Sequence, residues 1–155
     1  MTTLASISDE LADGVVRAMG PWVRSSVLGR VEAAGIPIEN PVALDHLIDD
    51  VAERCRELVC TGLAELFAAD IDEQRTSPLQ VVRTAVPLVT NLLEELGVPP
   101  VQRDAFAASA FPADLYDLSP VAFGDLSPDL HDLGLAWGAA KAFTHLQRRR
   151  GEADR

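Results

Sequence analysis

Apolar residues recur at every third or fourth position over most of this chain, and nowhere do they alternate one by one over a useful length. Spacing of three and four gathers side chains on one stripe of a helix, whereas alternation would gather them on one face of a strand. The pattern therefore predicts an all-α protein. A first helix starts at Ser8-Asp9-Glu10, where a serine can cap and two acids meet the positive end of the helix dipole. Leu11, Val15, Met19, Trp22 and Val23 form its stripe. Gly20-Pro21 predicts a kink or a break, after which Val27 and Val31 lead to a stop at Gly35.

The clearest helix opens at Asn40-Pro41 and runs to about Ala69, with Leu44, Leu47, Ile48, Val51, Cys55, Leu58, Val59, Gly62, Leu63 and Leu66 repeating at three and four. A third runs from Ser77-Pro78 to Leu96-Gly97 and is apolar nearly all round, as a central buried helix is. Pro87 lies inside it and strips the Arg83 carbonyl of its helical partner, which predicts a kink. Pro100 opens a short helix through about Ala110. Pro128 opens the last, through Arg150, where Arg148, Arg149 and Arg150 meet the negative end of the dipole. The expected architecture is a compact bundle of four to five helices in one domain, 1–155, with residues 1–7 and 151–155 frayed. The second and third helices are central and antiparallel.

A short repeat fills the gap before the last helix: Phe111-Pro-Ala-Asp-Leu-Tyr-Asp-Leu118, Ser119-Pro-Val-Ala-Phe-Gly-Asp-Leu126 and Ser127-Pro-Asp-Leu-His-Asp-Leu133. Each copy reads as one capped turn that plants an apolar side chain and presents a carboxylate. Asp114, Asp117, Asp125, Asp129 and Asp132 make a field of one sign, because no Lys or Arg falls between Phe111 and Ala140. Such a field steers a basic partner. Tyr116 and Phe123 are the aromatic anchors an interface would use.

Composition narrows the function. The net charge of −11 argues against nonspecific binding to nucleic acid or to an anionic membrane. Aromatics make up only 5% of residues, so the core has to be built from Leu, Val and Ala. Arginine and alanine dominate their classes as they do under GC-rich codon usage, which says nothing about function. The only cysteines, Cys55 and Cys60, are five apart on one helix and point different ways, so they do not bridge. Two lone thiols and a start without a basic, apolar leader predict a cytoplasmic protein. No apolar run is long enough to span a membrane.

Chemistry is sparse. His46, Asp50, Glu53 and Glu57 line one stripe of the second helix, but no Glu-x-x-His or His-Glu-x-x-His accompanies them, and they read as a wet face with no metal. Phosphate loops and nucleophile motifs are missing. Arg75-Thr76-Ser77 could hold an anion at a helix start, though capping by Ser77 explains the same residues with less. On the last helix, Gly134, Gly138 and Ala142 repeat at four. Glycine inside a helix costs roughly 0.5–1 kcal/mol relative to alanine, which predicts a close helix contact, within the chain or between two chains.

The residues therefore point to a small non-catalytic helical protein that acts through protein contacts, as an accessory subunit, adaptor or regulator. Its partner is a basic protein or a second copy, met through Asp114, Tyr116, Asp117, Phe123, Asp125, Gly134 and Gly138; no cofactor is implied. The rival reading is a small-molecule- or metal-binding enzyme with Arg83, His131, Lys141 and His145 around a site between the kinked third helix and the last. His131 and His145 lie about 21 Å apart along one helix, so they cannot share a metal.

Overall fold

Two long helices, α1 (Leu4–Ala33) and α2 (Pro41–Ala68), fold back on each other and supply most of the core in this computed structural model, which describes residues 3–69 and 77–153. Leu11, Val15, Met19, Val23 and Val27 of α1 and Ile48, Cys55, Val59 and Leu63 of α2 are almost wholly excluded from solvent. Each such side chain contributes about 1.5–3 kcal/mol by leaving water. At the turn end, Arg24 bridges to Asp45 at 2.9 Å and Asp49 at 3.3 Å, which raises its already high pKa further through the bond to Asp45.

The helix starts and stops mostly follow the local signals, with instructive exceptions. Asn40 caps α2 by accepting from the Ala43 N–H at 3.1 Å. α1 begins at Leu4, capped by Thr3, whose hydroxyl accepts from the Ser6 N–H. Ser8, the expected start, is a buried residue inside the helix, and residues 4–7 are helical and not frayed. Nor does Gly20-Pro21 break α1, which runs unbroken to Ala33. The proline removes one hydrogen bond, and the burial of Met19, Trp22 and Val23 around it offsets that loss. Gly35 adopts φ +68° just past the end, and the Ile36 N–H reaches back to the Val31 carbonyl. That left-handed stop favours glycine.

The third helix is interrupted as Pro87 requires. α3 (Pro78–Arg83) carries a complete capping box from Ser77 and Gln80, and α4 (Val86–Glu95) restarts with Pro87 in its first turn. Counted as one interrupted helix, they give a five-helix, all-α fold with no strand among the described residues. Arg75 and Thr76 of the anion-site expectation lie outside the described residues. Within α4 the Thr90 hydroxyl is buried without a hydrogen-bond partner.

α5 (Ala105–Ala110) starts five residues after Pro100 because Asp104 supplies the cap, accepting from the Ala107 N–H at 2.7 Å. The strip before it is held differently: the Val101 N–H donates to the Leu115 carbonyl. A 3-10 turn at Pro128–Leu130 runs into α6 (His131–Ala153), which continues three residues past Arg150, into the span expected to fray. Leu130 seats on Gly14 of α1, where a Cβ would stand 2.6 Å from its methyl group. Bare backbone at that position lets the start of α6 dock. Trp137 of α6 lies 6.3 Å from the Phe67 ring of α2. No helix among the described residues is long and apolar enough to cross a membrane.

Replacing Thr90 with Val keeps the shape and removes an unsatisfied hydroxyl, so it stabilises the fold by about 1 kcal/mol. Calorimetry should show the melting midpoint rise by about 2–4 °C, the shift such a change gives a chain of this size. Cys55 is buried and Cys60 exposed, so a thiol reagent labels Cys60 at once and Cys55 only as the protein opens. Burial pushes the Cys55 thiol up from 9.0 to about 11, against the weaker pull of Arg54 and Arg56. Because the folded pKa is the higher one, its contribution is intact below pH 9 and is lost as pH rises toward 11. Cys55→Ala should show a smaller fall in melting midpoint over that interval than the parent.

Candidate functional site

The acidic connector between α5 and α6 is fastened to the body by side chains that face inward. Arg83, at the end of α3, donates from Nε and Nη2 to the Pro120 carbonyl at 3.2 and 3.0 Å, and its guanidinium lies 4.9 Å from the centre of the Phe111 ring. Its partners are a backbone oxygen and an aromatic face. Both groups it engages belong to the connector, so it clasps the connector to the end of α3. Arg103 adds a bond to the Phe111 carbonyl at 2.6 Å.

Two of the expected partner-binding residues are also internal. Tyr116 has no exposed surface, and its hydroxyl donates to the Val98 carbonyl at 2.6 Å. Burial raises its pKa, and Glu94 adds to the effect. It is a core residue and not an exposed anchor, because a ring this large buries more apolar area than any neighbouring side chain offers. Asp114 is buried too. Its carboxylate accepts from the Leu118 N–H at 2.9 Å and the Ser119 N–H at 2.7 Å, so its charge is used to close the turn. The repeat's Ser-Pro starts are not all used as expected: the second copy's turn begins at Phe123 behind Ala122, and in the third Pro128 opens the turn but the Ser127 side chain makes no capping bond.

Asp117 and Asp125 do reach the surface. Asp125 accepts from the N–H groups of Val121 and Ala122, each at 3.0 Å, and so caps its own 3-10 turn at Phe123–Asp125. Asp117 holds φ +56°, a left-handed conformation that aspartate tolerates better than most residues. With Trp22, Ser25, Arg30 and Ser119 they border an open groove of about 570 Å³ between α1 and the connector. Asp129 and Asp132 are exposed further along.

On α6 the two glycines part company. Gly134 is buried against Phe123, and a Cβ there would overlap the ring. Its contact is therefore with a connector side chain, within one chain, and it explains why Phe123 is only half-exposed. Gly138 is exposed with nothing within 4 Å, so the close contact expected along the whole glycine stripe stops after one position. His131 is exposed at the start of α6 beside Gly124, the Lys141 ammonium lies 5.1 Å from the centre of the Trp137 ring, and His145 is exposed in the distal half. With Arg83 bound to the connector, these four residues do not converge on one site. The stripe of His46, Asp50, Glu53 and Glu57 is exposed, with Glu53 paired to Arg56 at 2.7 Å. Among the described residues no three His, Cys, Asp or Glu side chains are grouped to hold a metal ion.

One surface escaped the sequence reading. Leu135, Phe143 and Leu146 of α6 are 63%, 62% and 56% exposed. They lie opposite the side that packs on the body through Leu133, Gly134 and Trp137. Its signal in the sequence is a second set of apolar positions at 135, 139, 142, 143 and 146, interleaved with the glycines. Compared with protein-family models, with curated proteins and with solved structures, the chain matches none.

The glycines give a test by opposite signs. Gly134→Ala forces the Phe123 ring to move and should destabilise the protein by about 1–3 kcal/mol. Gly138→Ala, in open space on a helix, should stabilise it by about 0.5–1 kcal/mol. Thermal melting of the two variants beside the parent reads both.

Proposed function

We propose that this chain is a non-catalytic helical protein that works by binding another polypeptide, as an accessory subunit, adaptor or regulator. The observation that carries the reading is the outer face of α6, where three large apolar side chains lie more than half exposed on a helix whose other side is already seated. Exposed apolar residues scattered singly need no explanation, but a set sharing one helix face is what a partner helix or groove engages. The carboxylates Asp117, Asp125, Asp129 and Asp132 are exposed and add charge that orients an encounter. The enzyme reading draws no support from Arg83, His131, Lys141 and His145, which are dispersed.

The test uses a tagged full-length chain in extracts of the cells that make it. Size-exclusion chromatography should place the parent in a species larger than its 16.6 kDa mass, and Leu146→Glu should return it to the monomer position. Leu146 is more than half exposed, so the variant should keep its melting midpoint. A parent that elutes as a monomer in such extracts and stays monomeric as its concentration is raised rejects the interaction reading.

A further inference from the structure

The outer face of α6 has an order that identifies what covers it. Along the helix the central stripe of that face, with Phe143 on its flank, reads Asp132, Leu135, Ala139, Ala142, Leu146, Arg149, spaced three, four, three, four and three. The series of sizes is the same from either end about the Ala140–Lys141 bond: a leucine outside, an alanine inside, an alanine inside, a leucine outside. The charges at its ends are opposite. A pattern that is symmetric in size and antisymmetric in charge is complementary to itself only when one copy runs backwards.

We propose that the face is covered by α6 of a second copy of this chain, packed antiparallel about a two-fold axis through the middle of the helix. This rests on the interaction reading above and names the partner. In that arrangement Leu135 lies across from the second copy's Leu146, and Ala139 across from its Ala142. Large residues at the ends and small ones at the centre let the two backbones approach closely where they cross, as spacing of three and four allows. Two-fold symmetry brings each flank of the stripe against the same flank of the other copy. On one flank lie Asp132, Ala136, Ala139, Phe143 and Arg150, all exposed. Phe143 therefore rests on the second copy's Ala136 and Ala139, and Asp132 meets its Arg150, with Arg149 nearby. A parallel pair would instead set Asp132 against Asp132 and the arginines against each other. The opposite side of α6 carries the body, so the stripe approaches a second copy unobstructed by the residues that hold α6 down.

One helix pair is a small contact beside the roughly 1,600 Å² of a standard interface, so the dimer is a weak one, concentration-dependent and weakened by salt. Sedimentation equilibrium of the purified full chain at low salt should show monomer and dimer in exchange, with a dissociation constant in the micromolar range. Asp132→Arg should raise that constant at least about tenfold, and so should Arg149→Asp with Arg150→Asp. Mixing these two variants should restore association to within a few-fold of the parent, because opposite charges then meet at both ends. Leu146→Glu should abolish the dimer while circular dichroism and the melting midpoint at low concentration stay as in the parent. A parent that remains monomeric up to millimolar concentration overturns the proposal, as does failure of the two charge variants to associate on mixing. If that happens while Leu146→Glu still shifts the species seen in cell extracts, a different partner covers α6 and only the second copy is excluded.

Discussion

The structure depends on one long-range polar contact more than on any other: Arg83 holding the Pro120 carbonyl under the Phe111 ring. The connector is the twenty residues 111–130, which seat Tyr116, Leu118, Leu126 and Leu130 in the core but leave most of their backbone outside any helix. A segment of that kind loses conformational entropy when it orders and has few helical hydrogen bonds to hold it. Arg83 compensates by satisfying a backbone oxygen far away in sequence and covering an aromatic face with the same planar group. Pro87 makes this arrangement available, because the interruption between α3 and α4 ends α3 at Arg83. Tyr116 and Asp114 complete the fastening from the connector's side, one by filling the core and one by closing a turn.

The fold was legible because its signals are local. Asn40-Pro41, Ser77-Pro78, Gly35 and Gly97 mark helix boundaries through chemistry that acts within a few residues, and each boundary stands close to where it was read. The misses came where tertiary burial overrode a local rule. Gly20-Pro21 is a breaker by itself, but Met19, Trp22 and Val23 are buried on both sides of it and hold α1 continuous. Ser8 looks like a cap, but Thr3 lies one turn earlier and extends the helix. Such outcomes depend on what packs against a residue, which spacing alone does not state.

The candidate site was less legible, for a related reason. An aspartate in sequence is a charge, but in a turn-rich segment it is also the best available acceptor for backbone N–H groups. Of the connector's carboxylates, Asp114 and Asp125 are engaged in that way. A row of acids therefore overstates the field it presents outward, and a tyrosine among them is drawn inward by its area. Glycines misled in the same manner. Gly134 and Gly138 are equivalent in spacing, but only the first meets a side chain from another segment.

What distinguishes α6 from the other long helices is that it packs on one side and turns a second apolar face outward. Leu130 on Gly14, Phe123 on Gly134 and Trp137 near Phe67 hold its first half. After Gly134 the helix has no buried residue. An isolated helix of that length is marginal in water, and most helical stability in proteins comes from a packed apolar face. The distal half carries such a face, directed away from its own chain. Covering that face would bury apolar area on the residues that form the helix itself, so association and helix stability would be coupled through them.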